Sequence, residues 1–252
     1  MSRPGGTSAS RRRAVAPLLP LALAGLALGG CETTQDVSAR IGERLAREQQ
    51  AATGLERQGR APRGVRAGRP TVLPSGDAAA VVVEVVNRSG RAWRDLPVAV
   101  RVRGDGVDYT NRTVGLETAQ LRIPSLAPGA RLWWVNDHLP ALRGRARTVR
   151  AAVGRGRPIG GALPRVRVSA LRAGREDGRP VVRAVVRNLG RRVVRDLTVF
   201  TVALRDGRPV AAGTAKVLEL PPGERRDVTT FVVGDPTRGR LVAAAPPAPA
   251  AR

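Results

Sequence analysis

The sequence has one cysteine, one methionine, one histidine and only 2% aromatic residues. A single cysteine rules out an intramolecular disulfide; in an exported chain it would be either odd or already committed to other chemistry. With one histidine, His138, and no cysteine to spare, too few ligands remain for zinc or a similar ion. Nucleophilic catalysis would have a single base, and Asp137 beside it is a neighbour in sequence, which does not make the two side chains meet. So few aromatics exclude a base-stacking surface, and nucleic acid is not expected as a partner. No phosphate-cradling loop or dinucleotide glycine motif occurs; GRGRPIGG at 154–161 lacks the required strand-to-helix setting. No catalytic residue, metal, cofactor or small-molecule substrate is therefore expected. An envelope hydrolase built on His138 and Asp137 is the remotest reading.

What is abundant is arginine. The chain carries 44 basic against 20 acidic residues, a formal charge of +24, and Lys216 is its only lysine. Arginine at this level beside abundant Ala, Gly, Val and Pro is what a GC-rich genome tends to encode. Two readings stand: a solvated basic surface of compositional origin, or attraction to an anionic phospholipid, cell-wall polymer or lipopolysaccharide.

The cysteine's position gives it a role. Arg3, Arg11, Arg12 and Arg13 form a basic start with no acid before Glu32, and an uncharged run follows from Ala14 to Gly30. That run suits a signal peptide and is short for a permanent span. It ends Leu28-Gly29-Gly30-Cys31, which resembles the lipobox of bacterial lipoprotein precursors. The resemblance implies a thioether-linked diacylglycerol on Cys31 and cleavage between Gly30 and Cys31. A membrane is then a partner through the lipid, and the location is the cell envelope: the periplasmic face of the outer membrane in a diderm, the outer face of the cell membrane in a monoderm. Ser10-Arg11-Arg12 hints at twin-arginine export, and the route stays open between that and the general one.

Residues 31–70 read as a tether. Val37, Ile41 and Leu45, spaced four apart, predict a short amphipathic helix, and 57–70 read as a flexible spacer. The chain beyond contains an internal repeat. Val82, Val85, Val86, Gly90 and Arg91 match Val182, Val185, Val186, Gly190 and Arg191 at an offset of 100; after one inserted residue, Arg94-Asp95-Leu96 matches Arg195-Asp196-Leu197. Both copies reach a turn, Leu126-Ala127-Pro128-Gly129 and Leu220-Pro221-Pro222-Gly223. Short alternating Val runs punctuated by the turn-like Asn87-Arg88-Ser89-Gly90 and Asn188-Leu189-Gly190 and by Asp-Gly at 105–106 and 206–207 predict an all-β fold of two tandem immunoglobulin-like β-sandwiches, at 71–153 and 163–243. A linker at 154–162 and a disordered Ala/Pro tail at 244–252 complete the plan.

The second copy, VVRAVVRNLGRRVVRDLTVFTVALRDGRPV followed by LELPPGERRDVTTFVV, resembles the FxLYD and CARDB-type immunoglobulin-like modules. The matching residues are Asn188, Gly190, Val202-Ala203-Leu204-Arg205-Asp206 and Leu220-Pro221-Pro222-Gly223-Glu224; Arg205 replaces the family's Tyr, and Ala130 stands where Glu224 does in the first copy. The resemblance implies a noncatalytic part of an exported protein. Trp133 and Trp134 are the most informative aromatics. On a strand they point to opposite faces, one filling the core and the other covering an edge or, with Arg131, meeting a partner. The function expected is a lipid-anchored binding module for envelope proteins or anionic envelope polymers. The alternative is a structural or assembly accessory of an envelope complex.

Overall fold

The computed structural model describes residues 59–249 apart from 77, 106, 112–117, 141, 143 and 145. Gly30, Cys31 and the expected tether helix lie outside the described residues. The regular structure is antiparallel β, with a one-turn helix α1 (Thr118–Leu121) and a 3-10 turn at Pro236–Arg238.

The chain folds twice into the same plan. In the first sandwich, β1 (Val65–Ala67) and β2 (Thr71–Ser75) line one side of β3 (Ala78–Asn87). The chain crosses to a second sheet as β4 (Trp93–Gly104), which pairs with β5 (Val107–Thr110) and β6 (Arg122–Leu126). It returns as β7 (Arg131–Pro140) on the free side of β3, then crosses again as β8 (Ala146–Val153) and β9 (Arg157–Pro158) beside β4. In the second, β10 (Val166–Glu176) pairs with β11 (Arg179–Asn188), and β12 (Val194–Arg205) pairs with the long β13 (Arg208–Leu220). β14 (Arg225–Phe231) completes the first sheet beside β11; β15 (Val233–Gly234) adds to β13 and β16 (Arg240–Ala244) to β12. The protein is all-β, two tandem immunoglobulin-like sandwiches.

The repeat is real in three dimensions, but its register differs by one residue from the alignment read in sequence. Asn87 and Asn188 hold the same corner, each sending its side-chain amide to a carbonyl four residues on (Arg91, Arg192) and another across the sandwich (Leu126, Leu220). Asp95 and Asp196 both sit in the left-handed region, at φ 53 and 50. From Asn87 to Leu96 the offset is therefore 101 with no residue inserted, while the later turn, Leu126 against Leu220, stands at 94 because the second copy is shorter in between. Valine-rich strands match almost as well one step out of register, while a one-step slip sends every side chain to the opposite face.

The two sandwiches stack, which explains why some strands alternate and others do not. The largest core cluster joins Leu73, Ala80, Val82 and Val135 of the first sandwich to Phe200, Val202, Leu204, Ala212 and Val233 of the second. The β3 sheet and the β12 sheet thus face each other and are covered on both sides. Ala79–Val83 and Leu197–Leu204 are accordingly buried without interruption. The outer sheets alternate: Leu96, Val98, Val100 and Val102 point inward from β4 while Arg101 and Arg103 are exposed. β12 serves two cores, since Leu197 and Val199 belong to the cluster inside the second sandwich.

Three segments expected to be linkers are partly structured. Within the 57–70 spacer, Val65 is buried and β1 pairs with β3. Within 154–162, β9 docks on Trp93 and Arg94. At the expected tail, Ala245 and Pro247 are buried, and the Ser125 hydroxyl donates to the Pro247 carbonyl at 2.7 Å. In each case only one to three residues amid Gly, Pro and Arg make the docking contact, too few for a periodic signal.

Candidate functional site

Of the Trp pair, Trp134 is fully buried on the inward face of β7 and offers no surface to a partner, which corrects its expected place in a contact. Trp133 lies on the other face, half-buried against the shared core and opposite Glu84 in register. Arg131 is committed to Glu84 at 2.6 Å. Trp134 therefore fills the core, while Trp133 and Arg131 stay partly exposed at the rim of the stack.

His138 and Asp137 do meet. His138 Nδ1 lies 3.0 Å from Asp137 Oδ1 and also contacts the Gln120 side-chain amide. Asp137, however, is occupied from the other sandwich: it accepts the Thr214 amide at 2.7 Å and the Thr214 hydroxyl at 2.9 Å. This carboxylate clasps β7 to β13 across the junction, a role that its sequence neighbourhood gave no sign of. Deeper in the first sandwich, the Asn136 amide donates to the Tyr109 hydroxyl at 2.9 Å. No group of three metal-ligating side chains occurs among the described residues.

Burial raises the Tyr109 pKa above its ordinary 10.0 by penalising the phenolate. The unfolded chain then ionises first, so the stability this tyrosine contributes is intact below about pH 10 and is lost as pH climbs through the folded-state pKa. Tyr109 is the only tyrosine. The folded protein's phenolate absorbance should therefore rise at higher pH than that of the chain in denaturant, and Tyr109→Phe should flatten the alkaline loss of stability. Coincident absorbance titrations would contradict this.

Chemistry at the surface is dominated by guanidinium groups on the two outer sheets. On the β4 sheet, Arg101, Arg103, Arg150 and Thr148 line a hollow of about 180 Å³. Acids neutralise part of it: Asp108 accepts from Arg101 at 2.9 Å and lies 3.5 Å from Arg103, and Arg147 pairs with Asp105. The Arg101 hydrogen bond holds the Asp108 carboxyl below the ordinary carboxylate value. On the opposite outer sheet, Arg167, Arg187 and Arg225 occupy one register row across β10, β11 and β14. All three are exposed, and none forms an ion pair among the described residues. Beside that sheet, an open cleft of about 480 Å³ runs between β13 and β14, lined by Lys216, Leu218, Arg226, Asp227 and Phe231 among others. Sequence reasoning missed the row because arginine is everywhere in the chain, and only strand register selects which three align.

No protein-family description matches the chain, and no curated protein matches it.

Proposed function

We propose that the protein is a lipid-anchored module of the cell envelope that acts by binding, without catalysis, to anionic envelope polymers, lipids or envelope proteins. The observation that carries this is the division of labour in the stack: two inner sheets whose central strands are buried on both faces, and two outer sheets studded with exposed arginine. A surface with so large an excess of one sign raises the local concentration of anionic partners. The signal-like start ending at Leu28-Gly29-Gly30-Cys31 supports the anchor, with diacylglycerol on Cys31 after cleavage at Gly30. Kinship with the FxLYD and CARDB-type modules is supported by the Asn188 corner and the Pro221–Glu224 turn, where Gly223 takes φ 74.

A structural or assembly role is the second reading, favoured by the shared core. Two sandwiches locked together make a stiff spacer, for which domain number would matter and individual surface arginines would not.

The anchor is tested by fractionating cells that produce the protein. The native chain should sediment with membranes and yield an acylated peptide beginning at Cys31. Cys31→Ala should shift the protein to the soluble fraction or leave an uncleaved precursor. Recovery of an unmodified Cys31 from a chain with its first residues intact would refute the anchor. The binding role is tested separately, by retention of anionic polymers, anionic lipids or envelope proteins on the purified protein.

A further inference from the structure

The row on the second sandwich is an unusual thing to build. Arg167 faces Arg187 and Arg187 faces Arg225 as direct register partners, so three guanidinium groups stand side by side across the full width of the sheet. Adjacent strands are about 4.8 Å apart, and like charges directly opposite weaken a sheet. A second like pair, Arg172 opposite Arg183, lies further along the same face. Arg183 has Glu176 at 3.0 Å, and Arg187 reaches only the Gly223 carbonyl, at 3.4 Å. The other outer sheet shows what neutralisation looks like in this protein, with Asp108 shared between Arg101 and Arg103 and Asp105 held by Arg147. The β10–β11–β14 face leaves its row open.

We propose that the outward face of β10–β11–β14 docks on an anionic phospholipid surface, with Arg167, Arg187 and Arg225 as the phosphate contacts. Shape selects a bilayer over a soluble polyanion. The three row arginines cross an open three-stranded sheet, and none of them lines the cleft between β13 and β14 that could enclose a chain. The face also carries an apolar group suited to the headgroup region. Phe231, in the outward position opposite Val181, is 38% exposed, and the Arg179 guanidinium stacks on it at 4.2 Å from the ring centre. Aromatic groups beside arginine are favoured at membrane interfaces. The inference rests on the envelope reading above and assigns its anionic contact to one sheet.

The test uses the full chain carrying Cys31→Ala, with vesicles of phosphatidylcholine alone or with phosphatidylglycerol added. The readout is the ratio of the two partition constants, so that the amino-terminal segment contributes alike to every variant. The unsubstituted row should favour the phosphatidylglycerol vesicles, less so as salt rises. Converting Arg167, Arg187 and Arg225 to Gln should lower the ratio on the order of a hundredfold, since each arginine near the surface contributes about a factor of five to ten. Converting them to Lys should keep the ratio within a few-fold, which guards against a folding artefact. The matched triple on the other outer face, Arg101, Arg103 and Arg150 to Gln, should change it only a few-fold. Equal losses from the two Gln triples would reduce the effect to net charge and overturn the proposal. So would row-dependent binding of soluble polyphosphate with no preference for the anionic vesicles. A native protein that still fractionates with membranes through Cys31 while the row variants behave normally would sink this inference and leave the envelope reading standing.

Discussion

Replacing Phe200 by alanine is expected to lower the unfolding free energy of the whole chain by about 3–5 kcal/mol, the range for deleting a buried aromatic ring from a packed core. Phe200 is 1% exposed, and although it belongs to the second sandwich, it lies in the cluster that contains Val82 and Val135 of the first. The loss should therefore not be confined to its own half. At about 2–4 °C per kcal/mol for a chain of this size, the midpoint of thermal unfolding should fall by about 6–20 °C. The tryptophans supply a reporter, because Trp93, Trp133 and Trp134 are the only three and all belong to the first sandwich. Their fluorescence transition should move with the far-ultraviolet signal of the entire β-structure. If Phe200→Ala shifted the backbone signal and left the tryptophan transition in place, the sandwiches would be independent domains and the shared core would be energetically idle.

That coupling was half-visible in the sequence. The alternation at the end of β4, where Arg101 and Arg103 point outward between Val100 and Val102, and at the start of β10, where Arg167 stands between Val166 and Val168, identifies outer sheets covered on one face only. The runs Ala79–Val83 and Leu197–Leu204 do not alternate, and this is how a strand buried on both faces reads. Taken together they imply two inner sheets, and hence a stack, before any coordinate is known. What stays hidden is whatever depends on register between distant strands. The Arg167–Arg187–Arg225 row, the Asp137–Thr214 clasp and the burial of Trp134 each need a partner strand fixed to within one residue, and a valine-rich repeat fixes it poorly. The docking of Pro247 on Ser125 was hidden for another reason: proline and alanine in sequence resemble a solvated tail until a carbonyl finds a donor.

Asn188 tests that register directly. Its side chain is fully buried and makes three bonds: it donates to the Arg192 carbonyl at 2.8 Å and the Leu220 carbonyl at 2.9 Å, and accepts from the Gly190 amide at 2.8 Å. Alanine leaves two carbonyls and an amide without these partners. Each unsatisfied buried group costs about 1–3 kcal/mol, less where water can reach it, so Asn188→Ala should destabilise by roughly 3 kcal/mol in denaturant unfolding. Aspartate is no remedy, because it keeps the acceptor for Gly190 but turns a carboxylate against two carbonyls. Asn87→Ala should cost a similar amount, since Asn87 bonds Arg91, Leu126 and Ala127 through its amide and receives the Ser89 amide on its oxygen. Under the offset of 100, the counterpart of Asn87 would be the exposed Arg187, where alanine should cost under about 0.5 kcal/mol. Matching losses at 87 and 188 with almost none at 187 mean that the two sandwiches repeat one buried corner. A loss at Arg187 comparable to that at Asn87 would return the repeat to the other alignment and undo the assignment of arginines to the outer face.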